Sequence, residues 1–134
     1  MVLGADTIVV IDGRALGKPA DPDDARAMLR TLRARTHEVM TGIAVVDAAT
    51  GRVAVDTVIS RVTMAAYSDA AIDAYVAGGE PLDKAGAYAI QGAGGALVAG
   101  FEGSRSNIIG LPLAATAALL GRFGVAVSVP RTEA

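Results

Sequence analysis

The sequence predicts a single α/β domain with a mixed sheet and flanking helices. Three observations carry that expectation. Extended and helical stretches alternate along the 134 residues. At least two pairs of extended runs are separated by short turn sequences, as hairpins require. No internal repeat, low-complexity block or long linker divides the chain.

The first run, Val2 to Ile11 (VLGADTIVVI), is β-branched and almost continuously apolar. That is the composition of a strand covered on both faces, and the run is far short of the roughly 20 residues that span a bilayer. Asp12-Gly13 marks a turn, and Leu16 to Ala20 (LGKPA) reads as a loop. A helix then starts where Asp21 can cap it, Pro22 takes the first helical position, and Asp23 and Asp24 complement the positive helix end. Ala25, Met28, Leu29 and Leu32 fall on one face of that helix, with Arg26, Arg30 and Arg33 elsewhere.

His37 to Val46 and Arg52 to Met64 are extended runs joined by the turn Asp47 to Gly51, a hairpin. Val53, Val55, Thr57 and Ile59 share one parity while Val62 and Met64 have the other, which predicts a bulge or bend near Ser60 and Arg61. Ser68 caps a short helix through Val76, ended by Gly78-Gly79. A second hairpin is expected around Gly94 to Phe101 and Glu102-Gly103, and a last helix from Pro112 to Arg122. Residues 1–124 form the domain and 125–134 a tail that is polar from Ser128 onward.

With only two Phe and no Trp among 52% hydrophobic residues, the core must be built from Val, Ala, Leu and Ile. A net charge of −2 provides no global field for nucleic acid or an anionic membrane, so neither is an expected partner. Any phosphate must be held by a few local cations. The absence of cysteine excludes disulfides, thiol nucleophiles and thiolate metal sites, and is compatible with the cytoplasm.

Asp6 is the first candidate for chemistry, because an unpaired carboxylate inside an apolar strand is costly to bury. It is either a structural acid accepting backbone hydrogen bonds or a general base or metal ligand at a cleft. Thr7 points to the other strand face, where a threonine is ordinarily structural. Lys18 sits on a stiff loop shortly after the Asp6 strand. Gly78 to Gly92 (GGEPLDKAGAYAIQG) gathers Glu80, Asp83, Lys84 and Gln91 among glycines that allow close backbone approach to a ligand. That mixture suits a metal-bound polyphosphate and a base to be read, and equally describes a well-capped turn with solvated charges. Arg105 and Asn107 lie in a loop ahead of the last helix, Arg105 being a surface cation or a phosphate contact. His37 has no metal-ligand spacing around it and reads as a packed or exposed strand-end residue.

GADTIVV at 4–10, LGKPA at 16–20, THEVMTG at 36–42, GEPLDKAGAYAIQG at 79–92 and SNIIGLPL at 106–113 stand in the order and spacing of one family. Over Val2 to about Phe123 the chain resembles the Maf-type nucleotide pyrophosphatases, and the motifs together are specific although each alone is weak. The resemblance implies a Maf and inosine-triphosphatase type of fold. It also implies hydrolysis of a nucleoside triphosphate to the monophosphate and pyrophosphate in the cytoplasm, with a divalent cation such as magnesium or manganese. Asp6 matches the family's proton acceptor, and Thr7 and Gln91 match positions associated with base choice. Lys18, Glu80 and Lys84 match residues lining the same cleft. Asp-Thr after the strand and DKAGAYAIQG look like the branch acting on dTTP and UTP, whereas the 7-methyl-GTP branch typically carries Asp-Gln.

Family members begin with a strand and a turn containing serine and paired arginines, to which nothing here corresponds. The resemblance therefore implies a domain incomplete at its amino terminus, through a misassigned start, a fragment or a short form. A strand left without its neighbour exposes an apolar edge, so homodimerisation is an expected partner state, and nucleotide binding without turnover is the alternative function.

Overall fold

The computed structural model describes residues 1–129, so residues 130–134 of the expected tail lie outside the described residues. Five strands, β1 (Val2–Ile11), β2 (Arg14–Leu16), β3 (Thr36–Asp47), β4 (Arg52–Met64) and β5 (Val98–Glu102), form one sheet in the order β2-β1-β3-β4-β5. The helices are α1 (Pro22–Leu32), α2 (Asp69–Ala77), α3 (Arg105–Ile109) and α4 (Leu113–Gly121). The α/β class with flanking helices stands as expected. Every pairing among the described residues is antiparallel, however, so this sheet is not mixed. Tight turns reverse the chain after β1 and β3, and the long crossover through α2 returns β5 against β4 in the opposite sense.

Local chemistry explains the elements that sequence placed well. Asp12 and Gly13 both take positive φ, 52° and 72°, the conformation a two-residue hairpin turn requires between β1 and β2. The Asp21 carboxylate accepts from the Asp24 amide at 2.7 Å and caps α1, and the Ser68 hydroxyl accepts from Ala71 and caps α2.

Side-chain parity decides where the core lies. Val9, Ile11, Val39, Val62 and Met64 share one sheet face and are buried against Ala25, Leu29 and Leu32 of α1 and Ile72 and Val76 of α2. Farther along the same face, Ile43 and Val45 are buried against Leu119 of α4. The opposite face is open. Val2, Ile8, Val53, Val55 and Ile59 are exposed, which corrects the expectation that β1 is covered on both faces. The described helices that pack on the sheet do so on one side.

The bulge expected near Ser60 and Arg61 is not there. The β3–β4 register runs unbroken from Thr36↔Thr63 to Asp47↔Arg52, and the irregularity falls between Thr63 and Met64, on the side that pairs with β5. The apolar residues Val53, Val55 and Ile59 had suggested a buried parity that in fact faces outward. The second expected hairpin is likewise replaced: Gly92–Leu97 winds into 3-10 turns, and β5 pairs with β4 from far along the chain.

Gly94 explains that turn. A Cβ there would collide with the Ala89 carbonyl oxygen and lie 2.7 Å from the Tyr75 hydroxyl. Gly94→Ala is therefore expected to cost about 2–3 kcal/mol through overpacking, read by urea unfolding. Gly100→Ala, where a Cβ meets nothing within 4 Å, changes stability by less than about 0.5 kcal/mol. Equal effects would contradict the packing seen here.

His37 is packed, only 2% exposed, with Nε2 2.6 Å from the Tyr88 hydroxyl and Nδ1 unpartnered among the described residues. Burial lowers its pKa from 6.5 to about 4. Between those values the unfolded chain binds a proton that the folded chain refuses. The stability this group contributes is thus complete above pH 6.5 and lost as pH falls toward 4, about 3 kcal/mol in all. Urea unfolding between pH 7 and 4.5 shows that decline in the wild type and a shallower one in His37→Gln; identical slopes would refute it.

Candidate functional site

A cleft of about 440 Å³ lies where β1 meets the segment carrying Asp83 to Gln91. Successive strand residues point to opposite faces, yet every residue from Ala5 to Val9 borders this cleft. The cleft therefore wraps the edge of β1. That edge is available because β1 pairs with β2 only over Val9 to Ile11, leaving Val2 to Ile8 bonded on the β3 side alone.

Glycine brings the opposite wall in. Gly86 has φ of 72°, and a Cβ on it would lie 2.9 Å from Val9 Cγ2, so any larger residue would push the wall from β1. Its amide donates to the Gly17 carbonyl at 3.1 Å, tying the Lys84 segment to the Lys18 loop. The two loops that carry the lysines are thus joined directly by backbone.

Five of the six expected site residues come together here: Asp6, Thr7, Lys18, Lys84 and Gln91 all border the cleft. The Asp6 side chain is exposed and makes no hydrogen bond or ion pair among the described residues. It needs no buried partner, contrary to what a covered strand required. Lys84 lies 3.5 Å from Asp83, a partly exposed pair of little energetic weight that leaves the ammonium available to a ligand.

Glu80 is the exception, because it stands behind the wall and not in the lining. It accepts from the Tyr75 hydroxyl at 3.2 Å, and that hydroxyl accepts from the Ala89 amide at 3.1 Å, so Glu80 braces the strip leading to Gln91. Burial raises the Tyr75 pKa to about 12, and the phenol stays protonated as this bridge requires. Arg105 is exposed at the start of α3 and borders no part of the cleft.

Asn107 sits in a short helix, not a loop, and is completely buried. Its amide nitrogen lies 3.0–3.1 Å from Val39 O, Val58 O and Ser60 Oγ, which share its two hydrogens and clamp α3 to β3 and β4. Thr41, also fully buried, lies 2.8 Å from the Thr7 hydroxyl across the β1–β3 pair. Sequence reading passed over Thr41. Its signal was present: it shares the inward parity of Val39, Ile43 and Val45, where a hydroxyl needs a partner.

Among the described residues no three His, Asp or Glu side chains group as a metal cage. Asp6 and Asp83 are the carboxylates that border the cleft.

A family model described as Maf-like protein matches residues 1–123. The dTTP/UTP pyrophosphatase of Anaeromyxobacter dehalogenans (strain 2CP-C) is 57% identical over 126 residues, 92% of this chain and 65% of that protein. Those of Dictyoglomus thermophilum and Moorella thermoacetica are 51% and 54% identical, covering 92% and 95% of this chain and 64% and 66% of theirs. The chain thus spans just under two thirds of the length of these relatives. A match running from the first strand through the last helix, over the segments that build the cleft, establishes that the chain belongs to the Maf-like family.

Proposed function

We propose that the cleft binds dTTP or UTP and hydrolyses it to the monophosphate and pyrophosphate. The observation that carries this reading is the convergence of Asp6 with Lys18 and Lys84, and of Thr7 with Gln91, on one cleft. The names of the similar proteins point to the same substrates.

In this reading Asp6 takes a proton from water as the oxygen attacks the α-phosphorus. The new bond joins that oxygen to phosphorus, and the bond from the α-phosphorus to the bridging oxygen breaks, releasing pyrophosphate. Lys18 and Lys84 hold phosphate oxygens and offset the charge on the leaving group. Thr7 and Gln91 supply neutral hydrogen-bonding groups to the base.

Magnesium or manganese fits this donor set as a partner of the nucleotide, since such ions keep several waters and need only one or two carboxylates beside the phosphates. Asp6 and Asp83 would supply those carboxylates. A bound divalent ion neutralises charge on phosphate oxygens. No helix among the described residues is long and apolar enough to cross a membrane; a cytoplasmic setting belongs to this proposal.

A second reading, nucleotide binding without turnover, is favoured by the open edge of Val2 to Ile8 beside Asp6, where no strand among the described residues pairs on the side away from β3. Pyrophosphate release from UTP or dTTP with magnesium separates the two. Asp6→Asn is expected to lower kcat by about 10² to 10⁴ without shifting the thermal midpoint, since Asp6 is exposed and unbonded among the described residues. Full activity in Asp6→Asn rejects the base assignment, and UTP binding with no pyrophosphate released by the wild type favours the second reading. Lys18→Ala or Lys84→Ala is expected to raise KM about tenfold, the value of one charge-assisted hydrogen bond.

A further inference from the structure

The hydroxyl pair Thr7–Thr41 has a consequence for what the cleft accepts. Thr41 Oγ1 lies 2.8 Å from Thr7 Oγ1 and donates within reach of the Asn107 carbonyl at 3.3 Å. Thr7 Oγ1 lies likewise within 3.3 Å of the Gly110 carbonyl. Each hydroxyl has a single hydrogen. Two arrangements satisfy both: Thr41 donates to Thr7 and Thr7 to Gly110, or Thr7 donates to Thr41 and Thr41 to Asn107. In both, the Thr7 hydrogen is spent on the protein and its oxygen keeps a lone pair for an incoming donor; without Thr41 that hydrogen is held only by the longer 3.3 Å contact to Gly110, from which an acceptor on a ligand can draw it.

We propose that Thr41, held by the Asn107 helix, is a positioning residue that makes Thr7 a hydrogen-bond acceptor and so favours a base presenting a ring N–H. The inference rests on the reading of the cleft as a nucleotide site. Uracil and thymine carry an imide N–H between two carbonyls, whereas cytosine has a bare ring nitrogen at that place, whose lone pair would face the Thr7 oxygen. Thr41 is wholly buried and does not border the cleft, so it acts through Thr7. Asn107 holds it there by clamping α3 to Val39 O, two residues before Thr41 on β3, and to Val58 O, the β4 partner directly opposite Thr41.

Calorimetric titration with UTP and with CTP, each with magnesium, tests this without requiring turnover. Thr41→Val removes the hydroxyl at nearly constant volume and is expected to reduce the UTP-over-CTP affinity ratio about fivefold, the worth of one neutral hydrogen bond. Thr41→Ser should retain the ratio. Thr7→Val should lower it, and adding Thr41→Val to Thr7→Val should lower it no further. If Thr41→Val does not fold, Thr41→Cys, whose thiol is a weak donor, takes its place with the same expected loss. A folded Thr41→Val or Thr41→Cys with the wild-type ratio, or a loss that persists in full on the Thr7→Val background, overturns the inference alone. Failure of the wild type to bind UTP overturns the functional reading and this inference with it.

Discussion

The register of β1 on β3 is the constraint from which the rest of the site follows. It sets Thr7 opposite Thr41 and Val9 opposite Val39, so that one parity buries hydrocarbon on either side of a hydroxyl pair of which Thr7 borders the cleft. A slip of one residue would turn Thr7 outward and carry Ile8 and Val10 into the core. Two features resist that slip. Val9, Ile11 and Val39 are locked beneath α1, and Val9 is also the surface against which Gly86 closes. Asn107 adds a polar lock, its two amide hydrogens shared among Val39 O, Val58 O and Ser60 Oγ on β3 and β4. Stability and site geometry therefore depend on the same residues.

One-sided packing explains why the cleft is where it is. Helices α1, α2 and α4 all bury the face carrying Val39 and Val45, leaving Val53, Val55 and Ile59 on an open face. With the edge of Val2 to Ile8 unpaired among the described residues, Asp6 and Thr7 can border one cleft from opposite faces of a single strand. Such an edge beside an apolar face is a surface on which strands associate.

Much of this was legible in the residues because local chemistry decided it. Asp21-Pro22, Ser68 and Asp12-Gly13 mark caps and a turn whose geometry depends on a few neighbouring atoms, and each element begins or ends where they place it. The convergence of Asp6, Thr7, Lys18, Lys84 and Gln91 was legible from the family resemblance, not from spacing. What escaped was non-local. The exposure of Val53, Val55 and Ile59 depends on which face the helices choose, and the pairing of Val98–Glu102 with β4 depends on the path of the whole crossover. Glu80 belongs to the same class, since its separation from the cleft is set by Tyr75, which holds both it and Ala89. Thr41 and Asn107 carry ordinary strand and loop chemistry in sequence, and only the assembled sheet gives their polar atoms partners.

The most direct measurement is a crystal structure of the chain with magnesium and α,β-imido-UTP, whose bridging nitrogen resists hydrolysis. The account predicts the α-phosphorus beside Asp6, phosphate oxygens on Lys18 and Lys84, and the uracil ring at Thr7 and Gln91. A nucleotide bound elsewhere, or in this cleft with its base at the lysines and its phosphates at Gln91, would contradict it.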